Sequence, residues 1–459
     1  MSEWAAMIPE AVEDRARKVK RLSFAFGYRF LLLLLIGLGW LAPAFVNHRF
    51  VYAMLVWDLV LITAWAADLL SLPKAGQILI RRSWDAPLAL SVRSHAIITV
   101  TNESRSTLYI RLLDALPWSL GTDPPQLPMT VPAHGKAEAS YPVQPSRRGN
   151  ATASVVYARY EGVFRLAQRW AMAALTQELT VYPNLHEARK HAVYLIRSRQ
   201  IMMEKRFSRI RGAGKSFESL REYRDGDDLG DVCWTATARR GKLVTRLYEL
   251  EKSQTIWLVL DTGRLMRTRV DSVSKLDHAV NAALALGQVA LLTGDRVGLL
   301  AYGRNPRQRI PAMRGSLHLR QFVESLALVR EEEGEADHLR AASQLMRDQK
   351  RRSLVVWITD LAETAMTPEV VEAASRLLPR HLVVFAVIGQ PDLQLAASRR
   401  PKKASEMYQV AAAQEVIHRR ELLLARLRER GALAVEVESG ELASLLVNSY
   451  LEIKQENRL

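Results

Sequence analysis

A chain of 459 residues, 49% of them hydrophobic, is long enough for about three domains and has ample material for packed cores, which excludes a disordered polymer. Its one cysteine, Cys233, excludes an internal disulfide framework and a four-cysteine zinc site, and no pair among its ten histidines has the spacing of a metalloprotease helix. A net charge of +16 calls for an acidic partner or surface, either nucleic acid or anionic lipid.

Residues 1–29 form a polar lead rich in Arg15, Arg17, Lys18, Lys20, Arg21 and Arg29. "FLLLLLIGLGWLAPAFV", Phe30 to Val46, then runs without a charge, and "FVYAMLVWDLVLITAWAADLL", Phe50 to Leu70, follows after only Asn47, His48 and Arg49. The first run reaches about 26 Å as a helix, just enough for a hydrocarbon core. The pair predicts a transmembrane helical hairpin over 30–72. With basic residues before it and Lys74, Arg81 and Arg82 after it, both ends lie in the cytoplasm of an inner membrane. Cleavage as a signal peptide after "APA", 42–44, is the competing reading, which the long lead and the second apolar run oppose. Asp68 lies near the end of the second run and reaches the interface. Asp58 is deeper and either faces the first helix or a partner, or lies in a tilted interfacial turn. An anionic membrane surface accounts for much of the basic excess.

From 76 to 182, seven short alternating segments ("QILIRR", "LALSVRS", "AIITVTN", "LYIRLLDAL", "AEASYPVQP", "ATASVVYARY", "ELTVYP") are separated by turns such as "TDPPQLP" and "PAHG". The pattern predicts an all-β immunoglobulin-like sandwich with no catalytic signature. A basic linker helix follows over 184–211, solvated or facing the membrane, within a segment 183–242 that also carries "GAGKSFESLREYRDGDDLGDVCWTATARRGKL". Gly214, Lys215 and Ser216 mimic the end of a phosphate-binding loop, but Arg209 stands where its first glycine belongs and no buried strand precedes it. The motif packs Arg221, Glu222, Arg224, Asp225, Asp227, Asp228 and Arg239 into some twenty residues, with Trp234 as an apolar pin. Such charge suits a clamp of paired ions, a docking face for a partner, or a carboxylate pair at Asp227 and Asp228 holding a metal. Cys233 reads as packed rather than nucleophilic.

From 243 to 459, uniformly apolar runs ("TIWLVLD", "RVGLLAYG", "SLVVWITDL", "HLVVFAVIG", "ALAVEVES") alternate with helical stretches. This predicts an α/β doubly wound parallel sheet, whose sites lie at the carboxyl ends of its strands. Two strands end there in aspartate, Asp261 and Asp360.

A first strand ending in Asp261, a middle "GDRVGLLAYG" and a later "ITD" resemble the von Willebrand factor A-type domain. That resemblance implies a Mg2+ or Mn2+ site built from Asp-x-Ser-x-Ser, a threonine and a second aspartate, with an open position for a partner's carboxylate. Here Gly263 and Leu265 stand at the serine positions, Thr262 is out of phase, and only Ala336 or Asp337 falls where the threonine belongs. The site is therefore degenerate, reduced to Asp261 and Asp360, and Arg264 is a candidate to put its guanidinium in the cation's place. No cofactor is expected.

The signature as a whole resembles the domain-of-unknown-function 58 family. The resemblance is carried by Arg221, Glu222, Tyr223, Gly226, Asp227 and Asp228 of "LREYRDGDD" and by Trp234, Thr237, Ala238 and Arg239 of "WTATAR". Gly230 and Cys233 depart from the pattern, where arginine and aspartate are common. The resemblance implies a membrane hairpin, a β-sandwich and an A-like domain, and a MoxR-type AAA+ ATPase as partner. The expected function is an inner-membrane adaptor or scaffold in chaperone-like complex remodelling, with no catalytic residues. Two alternatives stand beside it. One is a metal-dependent hydrolase using Asp227, Asp228, Asp261 or Asp360. The other is a nucleic-acid-binding protein using the basic helix and "RRPKK", 399–403, although no nucleic acid is expected.

Overall fold

The computed structural model describes residues 7–20, 23–45, 47–121, 126–184, 216–224, 230, 232–249, 253–270, 273–361, 369–456 and 458. The helix expected over 184–211 lies outside them apart from Asn184, as do Gly226, Asp227 and Asp228. The chain divides into two compact units, Met1–Tyr182 and Pro183–Leu459.

In the first unit the basic lead is not a separate segment. It forms β1 (Val12–Arg15), β2 (Arg17–Lys18) and β3 (Phe24–Phe26), which join the sheets of the sandwich. The chain continues through α1 (Tyr28–Leu38), the single turn α2 (Leu41–Ala44) and α3 (Arg49–Ser71). Among the described residues, only α3 is long and apolar enough to cross a membrane. Its 23 residues span about 34 Å, whereas the 11 of α1 span about 17 Å, short of a hydrocarbon core of roughly 30 Å. Of the expected pair of spans, one is therefore shown: the first apolar run turns after Leu38, and Pro43 removes a backbone donor just beyond. The two helices do pack together. Trp57 Nε1 donates to the Leu33 carbonyl at 3.1 Å, and a Cβ on Gly37 would lie 2.6 Å from the Trp57 ring and 3.3 Å from Asp58 Oδ1, so Asp58 faces α1.

The sandwich continues with β4 (Ile78–Trp84), β5 (Ser94–Asn102), β6 (Leu108–Asp114), β7 (Gln126–Val131), β8 (Lys136–Val143), β9 (Gly149–Glu161) and β10 (Ala167–Val181). One sheet runs β1-β4-β5-β8 and the other β2-β10-β9-β6-β7, with β3 also on β10. Strict alternation in β4, β5 and β6 turns one face of each strand into the core. Two of the expected segments differ. "LALSVRS" contributes a bridge between Ala89 and Tyr182 and, at Ser94, the first residue of β5, while Gln126, Leu127 and Pro128 of "TDPPQLP", read as a turn, begin β7. Pro128 is tolerated because β7 is an edge strand. Between the sheets, Arg82 forms a buried two-pronged ion pair with Asp114, which also accepts from Tyr141 Oη at 2.6 Å, while Arg82 donates to the Leu175 carbonyl at 2.8 Å.

The second unit opens with a hairpin of β11 (Ser216–Glu222) and β12 (Val244–Glu249), which encloses α4 (Trp234–Arg240) in sequence. Its main sheet contains β13 (Thr255–Asp261), β16 (Arg296–Tyr302), β17 (Pro306–Met313), β18 (Leu354–Thr359), β19 (Leu382–Ile388) and β20 (Leu433–Val437), with a small hairpin of β14 (Arg269–Val270) and β15 (Val273–Ser274) beside it. The order is β17-β16-β13-β18-β19-β20, and every neighbouring pair is parallel except β16 and β17. Successive residues of each strand feed opposite faces. Trp257, Val259, Val355, Trp357 and Phe385 pack under α7 (His338–Asp348), α8 (Glu369–Leu377) and α10 (Ala404–Glu429). The other face is covered by α5 (Lys275–Leu292), α6 (Ser316–Leu328) and α11 (Leu442–Gln455), with α9 (Pro391–Ser398) preceding α10. Gly298 is required by close approach, since a Cβ there would stand 2.9 Å from the Trp257 ring.

Candidate functional site

The strand order reverses direction at β13, so β13 and β18 flank the switch point at which an open α/β sheet presents a crevice. Asp261 ends β13, and Asp360 directly follows β18. The structure therefore brings the two predicted carboxylates to one place, both almost fully buried.

Their partners decide what they can do. Asp360 Oδ2 accepts from Lys275 Nζ at 2.5 Å, and its Oδ1 accepts from the Arg420 guanidinium at 2.9 Å. Arg420 continues to Glu436 Oε1 at 2.6 Å. Lys275 is the first residue of α5 and Arg420 lies midway along α10, so helices from opposite faces of the sheet each send a cation to the same carboxylate. Burial pulls the Lys275 ammonium below its ordinary value, and Asp360 pushes it back up. Among the described residues, Asp261 has no such cation in direct contact. Its Oδ2 accepts from Thr359 Oγ1 at 2.6 Å and its Oδ1 from the Gly263 N–H at 2.7 Å. Burial raises its carboxyl, while His338, the Thr359 hydroxyl and the Gly263 N–H act in the opposite direction.

Around them stands an aromatic layer. Tyr302 Oη bonds His338 Nδ1 at 2.8 Å and accepts from Trp357 Nε1 at 2.6 Å. Burial holds the His338 imidazole below its ordinary value and the Tyr302 phenol well above it, so both stay neutral near pH 7.

Arg264, expected to sit in the cation's place, does not. Its guanidinium is 49% exposed and lies 3.8 Å from Glu335. The internal cations are Lys275 and Arg420. Neither candidate for the missing threonine supplies an oxygen to this edge: Ala336 is packed against Gly263, and Asp337 caps α7 by accepting from the Arg340 N–H at 2.8 Å. A divalent cation needs a shell of oxygens. Here Gly263 and Leu265 supply no side-chain oxygen, both Asp360 oxygens are taken by cationic groups, and both Asp261 oxygens accept internal donors. The donor set does not fit Mg2+ or Mn2+, and no chemistry is routed through either.

The signature divides between a hairpin and a helix. Arg221 and Glu222 end β11, Tyr223 follows with its N–H on the Leu243 carbonyl at 2.9 Å, and Glu222 forms an exposed pair with Lys242 at 3.3 Å. The helix α4 is fixed at its base: Cys233 and Val232 are buried, the Cys233 N–H donates to the Val244 carbonyl at 2.8 Å, and Thr237 Oγ1 accepts from the Val244 N–H at 3.0 Å. No residue of α4 itself is buried. Trp234 is 65% exposed, and Ala238 and Arg239 are exposed with it, so Trp234 is displayed rather than used as a pin. The basic "RRPKK" forms the exposed link between α9 and α10.

Residues 219–400 match the model of a family described as protein of unknown function DUF58. Uncharacterized protein Rv1480 of Mycobacterium tuberculosis is 28% identical over 153 residues, which cover 33% of this chain and 48% of that protein. Uncharacterized protein YeaD of Bacillus subtilis is 24% identical over 110 residues, 24% of this chain and 25% of that protein. The chain thus spans about half the length of the curated mycobacterial relatives it matches. Among solved structures, conserved hypothetical protein BatB from Bacteroides thetaiotaomicron aligns with a TM-score of 0.29 at 15% identity, over 44% of this chain and 100% of that one.

Proposed function

We propose that this chain is a membrane-anchored adaptor that binds other proteins through the outward face of α4, beside an A-type-like sheet that works without a metal ion. The observation that carries the reading is the exposure of Trp234 on a helix whose base is fixed by buried Val232 and Cys233. A large aromatic held out on a short helix that also exposes Arg239 has the composition of a binding hot spot. The neutralised carboxyl edge supports the same reading, because a hydrolase would need Asp261 or Asp360 free to hold a metal or move a proton.

The partner proposed is an AAA+ ATPase of the MoxR type, which the family resemblance implies. The placement of Asp261 at the end of β13 and of Asp360 just beyond the neighbouring β18 supports the A-like assignment. For the anchor, we take α1 and α2 to enter an inner membrane together with α3, leaving the lead and the second unit in the cytoplasm. The packing of Trp57 on α1 and the basic residues at both ends support this.

Affinity capture of the intact protein from native membranes, with and without magnesium-ATP, tests the proposal. An AAA+ ATPase is expected among the retained proteins. Trp234→Ala is expected to weaken its capture by about 2 kcal/mol, ~30-fold, with the thermal midpoint unchanged. Recovery of no ATPase under any condition, or undiminished recovery with Trp234→Ala, contradicts the reading.

A further inference from the structure

The first unit carries a surface that the adaptor reading does not use. The turn between β9 and β10 exposes two adjacent apolar side chains, Val163 at 58% and Phe164 at 67%. It is not a free loop tip. Asp68, in the last turn of α3, accepts from the Leu166 and Ala167 N–H groups, each at 2.9 Å. Arg169 returns two donors, to the carbonyls of Leu69 at 2.9 Å and Pro73 at 3.1 Å. Across the turn, the Gly27 N–H donates to the Leu166 carbonyl at 2.6 Å, immediately before α1 starts, and a Cβ on Gly27 would collide with the Arg165 carbonyl at 2.1 Å. The turn is therefore bolted to the beginning of α1 and the end of α3.

That attachment fixes its level. If α3 crosses a bilayer, its span of about 34 Å puts Asp68 at one boundary of a core of roughly 30 Å. The turn lies at the same boundary. Aromatic side chains surround it: Phe24 and Phe26 are half-exposed on β3, Tyr28 opens α1, and Phe24, Phe26 and Phe30 all lie within 6.3 Å of the Trp65 ring. Arg165 folds back over the Tyr109 ring at 3.7 Å. Aromatic rings beside a helix end, with apolar tips and cations on the outer side, form the pattern of a membrane-interface belt.

We infer that the β9–β10 turn is a lipid-contact site, with Val163 and Phe164 seated in the headgroup–acyl boundary as an anchor separate from the helices. The sandwich is then held rigidly against the bilayer. This rests on the reading of α3 as membrane-spanning.

The test uses the full chain with Cys233→Ser, reconstituted into phosphatidylglycerol–phosphatidylcholine vesicles. An environment-sensitive dye is attached at Phe164→Cys or, separately, at Leu59→Cys, an exposed position midway along α3. Phe164 buries little, so the substitution spares the core. The dye at 164 is expected to shift to the blue, to lose more emission to shallow lipid-borne quenchers than to deep ones, and to resist aqueous iodide. The dye at 59 is expected to respond most to the deep quenchers. Quenching at 59 with none at 164 overturns the lipid contact alone. Protection at 164 from both lipid quenchers and iodide points to a protein contact and also overturns it. Absence of lipid quenching at both positions overturns the membrane reading of α3 together with the inference.

Discussion

Lys275 Nζ donates to Asp360 Oδ2 at 2.5 Å, in an interior where neither side chain is more than 2% exposed. Arg420 completes the neutralisation from the other face of the sheet. Removing one member of such a set strands the others, which typically costs about 3–5 kcal/mol, whereas exchanging a whole buried ion set for apolar groups is often neutral. Asp360→Asn is therefore expected to lower stability by about 3–5 kcal/mol, read by denaturant unfolding of the full chain. Lys275→Met in the Asp360→Asn background should cost less than the sum of the two single changes. Strict additivity would mean that the pair is not coupled.

Asp261 is expected to behave differently, although the sequence gives it the same role. It is buried, its carboxyl is raised, and two neutral donors hold it. Asp261→Asn keeps an acceptor for the Gly263 N–H and discards a charge that the fold holds at a cost. Stability near pH 7 should fall by less than about 1 kcal/mol, or rise. Because the folded carboxyl titrates above its ordinary 3.8, the wild type should lose ground to the Asn variant as pH climbs from that value toward neutrality. A loss as large as that of Asp360→Asn would show that the charge itself is needed.

Inside the sandwich, Asp114 serves Arg82 and the Tyr141 hydroxyl at once. Asp114→Ala leaves a buried guanidinium unpaired and should cost about 3–5 kcal/mol. Tyr141→Phe removes one hydrogen bond and should cost about 1 kcal/mol. Equal losses in thermal or denaturant unfolding would contradict this division.

At the opposite edge of the α/β sheet, burial and the neighbouring Arg380 push the His381 imidazole down to about 4. Its Nδ1 bonds Ser353 Oγ at 2.9 Å, and its Nε2 is buried without a partner among the described residues. The unfolded chain binds this proton more readily, so the contribution of the neutral ring is complete above about pH 6.5 and is lost as pH falls toward about 4. His381→Gln should flatten that part of the stability profile. An unchanged slope would place the acid sensitivity elsewhere.

Much of this was legible in the chain. The parallel strands are largely apolar on both faces, two of them lead into an aspartate, and both aspartates do meet at the switch point. Arg420 also left a trace: with Leu423, Leu424 and Leu427 it falls at i, i+3, i+4 and i+7, on the stripe that faces the core. Lys275 is a cation at the first position of a helix, where the dipole disfavours it, and so signals a compensating acid. Arg264 drew attention because it lies next to Asp261 in sequence, but the short 3-10 turn Arg264–Arg267 leaves its guanidinium 49% exposed. Proximity along the chain does not fix direction. The exposure of Trp234 could not be read from composition, since a tryptophan amid charges suits a pin and a display equally well. The clamp of Asp68 on the β9–β10 turn joins residues nearly a hundred positions apart and has no local signature.

The most direct test of a metal-free carboxyl edge is calorimetric titration of the purified full chain with Mn2+, beside the Asp261→Ala and Asp360→Asn variants. The account predicts that no saturable binding seen in the wild type is lost in either variant, because Lys275 and Arg420 already neutralise Asp360. A single saturable site that disappears with Asp261→Ala would contradict it, and would mean that Lys275 yields its place to the ion.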